Sequence, residues 1–217
     1  MQNFSEIRAA PHPCHTVGYV MAGGGSTRFG EDKARVTLAG KPMLQRMYDL
    51  LSNVTGDAYI VAPRGRYDDS GLHSIEDRWP GQGPLGGIIT ALLHRRESGS
   101  VAGWNLIVSC DMPFLTPEWL AFLLTRASAS DAQALVPQSA HGREPLCACW
   151  RTSCVMEIQS AFEGGMRRVN DALKLLRTEV LDEADWKRFD SAGRLFWNMN
   201  TAADYREAQG IMEAERT

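Results

Sequence analysis

A chain of 217 residues with 44% hydrophobic residues has the size and core content of one globular domain. Its formal net charge of -3 excludes a general nucleic-acid binder, which would be basic, so an anionic ligand must meet a local cluster of cations. No apolar run reaches the ~18 residues of a membrane span, and MQNFSEIRAAPHPCHT at the start lacks the apolar stretch of a secretory signal. Residues 1–15 read as a flexible leader, and 16–217 as the domain. Five cysteines, an odd number in a chain too large to need staples, favour a reduced cytoplasm. Cys147-x-Cys149 with Cys154 lacks the spacing of a zinc site; the first two would pack on one strand face.

Val17, Tyr19, Val20 and Met21 form a short apolar run, as expected of a strand buried on both faces. Gly23, Gly24 and Gly25 follow. Without Cβ atoms their backbone N–H groups can approach an anion closely. Ser26, Arg28, Asp32 and Lys33 share the loop and turn a simple chain reversal into a candidate phosphate site. It is not a dinucleotide fingerprint, because Arg28 stands where a small third residue must be. Nor is it a Walker A loop, because Glu31 and Asp32 displace the lysine to Lys33. Arg35 and Lys41 add further positive charge nearby.

Val36–Gly40 reads as an extended piece and a turn. Lys41-Pro42 opens a first helix carrying Met43, Leu44, Met47, Leu50 and Leu51 on one face, closed by Gly56. Ala58–Ala62 is a second strand, Pro63–Gly71 a polar loop, and His73–Ile75 a short third strand ending at Glu76-Asp77. Strand, helix, strand predicts a mostly parallel sheet with right-handed crossovers. The stretch 77–87, DRWPGQGPLGG, is too rich in Pro and Gly for helix or strand and leads into an apolar helix over Ile88–Leu93. Asp77, at a strand end, can accept hydrogen bonds from a base or ribose.

Trp104–Ser109 is a fourth, central strand. It ends in Cys110-Asp111-Met112-Pro113-Phe114, and a carboxylate at such a strand tip is where a Mg²⁺ ligand is expected. Thr116-Pro117-Glu118 starts a helix to Arg126. Strands over Ala134–Pro137 and Glu144–Trp150 flank a turn, in which His141 is a solvated residue. A helix over Ser153–Phe162 stops at Gly164-Gly165. The next starts at Arg167-Arg168, against the macrodipole, and runs to Leu176. Glu179–Leu181 is an edge strand and 182–185 a turn or helix start. Leu195–Trp197 is a strand, and Thr201 with Asp204 forms a capping box for a last helix from Ala202 to about Glu215.

Five stretches in order, VMAGGGSTRFGEDK, GPLGGI, CDMPF, EPLCACW and NMNTAAD, resemble the motifs of molybdenum cofactor guanylyltransferases within the nucleotidyltransferases. The resemblance spans about Val17 to Tyr205. It implies a Rossmann-like α/β fold of the nucleotide-diphospho-sugar transferase type: one domain, a mostly parallel sheet flanked by helices. It implies that GMP passes from GTP to molybdopterin-bound molybdenum, with pyrophosphate leaving after in-line, Mg²⁺-assisted attack of the pterin phosphate. Asp111 would hold the metal, and Arg28, Lys33 and Gly23–Gly25 the leaving phosphates. Met21, Ala22 and Asp77 would meet the base, and Arg167, Asn198 and Asn200 would face the acceptor. Delivery proteins for the cofactor and apo-molybdoenzymes are the implied partners. Val61, Ala62 and Pro63 stand where the family often has an asparagine at the guanosine. Cytidylyl transfer is therefore the runner-up, followed by sugar-1-phosphate nucleotidyl transfer and, from another class, a non-catalytic nucleotide-binding module.

Overall fold

A computed structural model describes residues 16–23, 32–190 and 192–215. Gly24, Gly25, Arg28 and the expected leader lie outside the described residues. In chain order the first unit is β1 (Val17–Met21), β2 (Thr37–Leu38), β3 (Lys41–Pro42), α1 (Met43–Thr55), β4 (Asp57–Ala62) and β5 (Ser74–Glu76). Then come α2 (Pro84–Glu97), β6 (Trp104–Ser109), α3 (Pro117–Ser128), β7 (Ala134–Ser139), β8 (Gly142–Arg143) and β9 (Cys147–Arg151). The last are α4 (Val155–Glu163), α5 (Val169–Leu173), β10 (Thr178–Leu181), α6 (Glu183–Trp186) and α7 (Ala202–Ala214). A 3-10 turn over Lys33–Arg35 precedes β2. No helix among the described residues is long and apolar enough to cross a membrane.

The main sheet runs β10-β7-β9-β6-β1-β4-β5, with β8 paired to β7. β1 is parallel to both β4 and β6, β4 to β5, and β7 to β10; β9 runs against both β6 and β7. The chain builds outward from β1 through β4 to β5, then crosses back to lay β6 on the other side of β1. The order therefore reverses between β1 and β6. At such a switch point two loops leave adjacent strand ends in opposite directions and open a crevice at the carboxyl edge. The residues after β1 and after β6 face each other there: Cys110 N donates to Met21 O at 3.2 Å.

Both sheet faces are apolar, which is why the strands read as continuous hydrophobic runs. Val20, Ile60, Leu106, Val108, Cys147 and Cys149 pack beneath α1, α3 and α7. Tyr19, Val61, Ile107, Ala148 and Trp150 pack beneath α2, α4 and α5. The expectation that Cys147 and Cys149 share a packed face holds, and burial pushes both thiols up from their ordinary range. Gly18 lets α1 approach β1: a Cβ there would sit 2.9 Å from Leu51 Cβ. Gly87 is the counterpart on α2, where an added Cβ would collide with Met21 Cε. It draws the start of α2 against the end of β1.

Four local expectations change. Pro84–Gly87 is helical, because proline at the first position loses no intrahelical donor and buried Leu85 anchors the turn. Lys41-Pro42 pairs as β3, with Pro42 as the N-cap of α1. Leu195–Trp197 is no strand: Trp197 N closes a turn onto Arg194 O, and its apolar run reflects aromatic packing of Leu195 and Phe196. α5 begins at Val169, so Arg167 lies outside the helix. The capping boxes of α7 (Thr201 with Asp204) and α6 (Asp182 with Asp185) both form.

Candidate active site

Asp111 leaves the end of β6 at the switch point. Its Oδ1 accepts a 2.6 Å hydrogen bond from Ser109 Oγ, and its carbonyl accepts from Met199 N at 2.8 Å. The first bond orients the carboxylate. The second ties β6 to the segment that carries Asn200. Lys33, the first residue of the 3-10 turn, completes the group: its Nζ donates to Asn200 Oδ1 at 2.8 Å and lies 3.9 Å from Asp111 Oδ2. Three chain regions more than 75 residues apart thus meet in one polar cluster, open at the sheet's carboxyl edge.

The Lys33 turn is held from below. Asp32 is its N-cap, with Oδ1 accepting from Ala34 N at 3.1 Å. The same carboxylate accepts from Arg66 Nε at 3.1 Å and from the buried Tyr67 hydroxyl at 3.0 and 3.1 Å. On the other flank Asp77 is buried at the end of β5. Its Oδ1 accepts from Trp79 N at 3.0 Å and lies 3.3 Å from Thr90 Oγ1. Its Oδ2 lies 3.6 Å from where a Cβ on Gly23 would stand. Gly23 therefore leaves room beside a buried carboxylate. Cys110 sits between the groups. Burial first, then the charges of Asp111 and Asp32, push its thiol far up, so it stays protonated and is no thiolate nucleophile.

Asp111 can serve a hard cation. One orientated carboxylate with an open oxygen suits Mg²⁺, which keeps waters and takes phosphate oxygens for the rest of its shell. No trio of His, Cys, Asp or Glu able to hold a metal by themselves gathers among the described residues. A cation here would draw most of its ligands from a polyphosphate and water.

The profile of the MobA-like NTP transferase domain matches residues 18–178. The chain belongs to the MobA-like NTP transferase family. Among curated relatives, a probable molybdenum cofactor guanylyltransferase of Deinococcus radiodurans is 31% identical over 193 residues, covering 88% of this chain and 92% of the relative. One from Pelotomaculum thermopropionicum is 28% identical over 204 residues, covering 92% and 95%. A crystal structure of molybdopterin-guanine dinucleotide biosynthesis protein A from Archaeoglobus fulgidus superposes with a TM-score of 0.78 at 26% identity, covering 91% of this chain and 99% of that one. CMP:2-keto-3-deoxy-manno-octonic acid synthetase shares the fold at 15% identity and a TM-score of 0.65.

On this MobA-like frame, Lys33, Asp111 and Asn200 come together and Asp77 flanks Gly23. Met21 O, Ala22 N and Ala22 O are engaged with Cys110, Val61 and Tyr67, and the side chains of Met21 and Ala22 pack into the cores on the two faces of the sheet. Asn198 and Asn200 do not alternate along a strand. Asn198 Nδ2 turns back to Phe196 O at 3.3 Å, whereas Asn200 reaches Lys33. Arg167 Nη1 donates to Phe162 O at 2.6 Å and Met166 O at 2.9 Å, with the guanidinium 4.1 Å from the Phe162 ring centroid. It thus caps the C-terminus of α4, where the macrodipole favours a cation, whereas Arg168 stays at the N-cap of α5, with Asp171 in its first turn. Sequence reasoning missed Ser109, Arg66 and Tyr67, and it placed Asp32 in the phosphate loop without its role as the cap of the Lys33 turn. Ser109 carried a signal: it ends an apolar strand two residues before Asp111.

Proposed function

We propose that this protein is a molybdenum cofactor guanylyltransferase, which joins GMP from GTP to the pterin phosphate of the molybdopterin-bound molybdenum cofactor and releases pyrophosphate. The observation that carries the reading is the Lys33–Asn200–Asp111 cluster at the β1/β6 switch point. The family supplies the nucleotidyl chemistry, and the relatives' names supply guanine and the acceptor. An oxygen of the acceptor phosphate forms a bond to the α-phosphorus of GTP. The bond from that phosphorus to the bridging oxygen breaks, and its electrons leave with pyrophosphate. A phosphate dianion is already a nucleophile at neutral pH, so no side chain need remove a proton or form a covalent intermediate.

The chain's task is alignment and charge compensation. Lys33 offers a cation to the phosphates, and Asn200 holds its ammonium in place. Ser109 fixes the Asp111 carboxylate with one oxygen facing Lys33. Mg²⁺ on Asp111 would withdraw charge from the phosphate oxygens as negative charge builds up. Asp77 can accept from the amino and imino N–H groups of guanine, and it is buried where such bonds are strong. Gly24, Gly25 and Arg28 would add donors to the phosphates, Arg167 and Asn198 belong on the acceptor side, and residues 16–217 form the transferase domain.

Lys33→Ala is expected to weaken GTP binding by about 10- to 100-fold, the range for loss of a hydrogen bond to a charged group. Titration calorimetry with GTP and Mg²⁺ checks it. Unchanged affinity would remove the triphosphate from this end of β1.

A further inference from the structure

Tyr67 lies in the polar connection between β4 and β5, yet it is only 2% exposed. Its hydroxyl faces three acceptors: the two Asp32 oxygens at 3.0 and 3.1 Å and Ala22 O at 3.3 Å. A phenol has one proton to give. Burial, then the Asp32 charge, push its acidity away from neutral pH, so the proton stays and is shared with the nearer, charged acceptor. Arg66 Nε donates to the same carboxylate. The guanidinium carbons of Arg35 and Arg66 stand 5.4 and 5.7 Å from the Tyr67 ring centroid, and Arg35 is itself held by Asp69 and by Arg66 O. Asp32, so fixed, caps the turn that begins with Lys33.

We propose that Tyr67 is a positioning residue for Lys33. Its hydroxyl locks Asp32, Asp32 locks the 3-10 turn, and the turn aims the Lys33 ammonium at Asn200 and at the triphosphate. The chain also bridges Ala22 at the end of β1 to the Lys33 turn, so the two sides of the phosphate site keep a fixed separation. A lysine carries about 2 kcal/mol of rotamer entropy, and a rigid backbone beneath it lowers what binding must still restrain. The inference rests on the nucleotide reading above and goes beyond it by assigning a role to a residue that contacts neither substrate.

The test is a double-mutant cycle on the affinity for GTP with Mg²⁺, using wild type, Tyr67→Phe, Lys33→Ala and the double variant. Phenylalanine keeps the ring and its packing and removes only the hydroxyl. Tyr67→Phe is expected to bind GTP about tenfold more weakly, as loss of one hydrogen bond to a charged group allows, and to add nothing once Lys33 is gone. A residue that only packs would give additive effects. Wild-type affinity in Tyr67→Phe, or additivity in the double variant, overturns the proposal. If Lys33→Ala itself binds as wild type does, the nucleotide reading fails instead. Arg66→Gln, which removes the second donor to Asp32 from a half-exposed site, carries the same cycle should Tyr67→Phe not fold.

Discussion

Asp111→Ala is expected to slow nucleotidyl transfer by on the order of 10²-fold or more, with the melting temperature nearly unchanged. The carboxylate is part-exposed at a strand end, so its loss opens no cavity. Its main-chain carbonyl, which accepts from Met199 N, remains. What disappears is the preorganised oxygen beside Lys33 that would hold the cation as charge builds on the phosphates. Removal of one such electrostatic contact typically costs 10²–10³ in rate. Steady-state rates at saturating GTP and Mg²⁺ check it. A loss of less than tenfold would take Asp111 out of the chemistry. Ser109→Ala separates orientation from charge, since it keeps the carboxylate and deletes only its 2.6 Å partner.

The second large effect concerns the support beneath the site. Trp119 is fully buried on α3, and its Nε1 lies 3.4 Å from Cys147 Sγ on β9. Its ring stands 5.6, 5.7 and 5.8 Å, centroid to centroid, from Phe189, Phe196 and Phe122. Phe196 leads into Asn198–Asn200, which has no strand to hold it and is held by this aromatic packing, by buried Met199 and its bond to Asp111, and by the bonds of Asn200 to Lys33 and Asp204. Trp119→Ala should cost about 3–5 kcal/mol through lost burial and the cavity left behind. For a chain of this size that corresponds to a fall of roughly 10 °C in melting temperature. Thermal unfolding measures it. A drop of less than 2 °C, or about 1 kcal/mol, would mean that the cluster is not a structural support.

Local signals were the ones that could be read without coordinates. The glycines after β1, the carboxylate after β6 and the Thr201–Asp204 capping box are each short patterns whose chemistry is complete within a few residues. Two adjacent strand tips then predict where Lys33 and Asp111 meet, because a parallel sheet puts all its carboxyl ends on one edge. Where a pattern had two physical causes, reading failed. Leu195–Trp197 is apolar because it packs into the core, Phe196 on Trp119 and Trp197 on Phe114, not because it pairs. Pro84–Gly87 looked like a breaker, although proline at a helix start costs nothing. The opposed direction of β9 is set by its tight connection from β7, not by its own residues. Tyr67 was illegible for a further reason: Asp32 lies 35 positions away, and nothing in a polar loop announces that its tyrosine turns inward.

Pyrophosphate release tests the central claim most directly. It should be followed with GTP, CTP, ATP or UTP in the presence of Mg²⁺, with and without molybdopterin-bound molybdenum. The account predicts release from GTP that depends on the pterin acceptor and is lost in Asp111→Ala. Release from CTP in preference to GTP, or none from any of the four with the acceptor present, would contradict it.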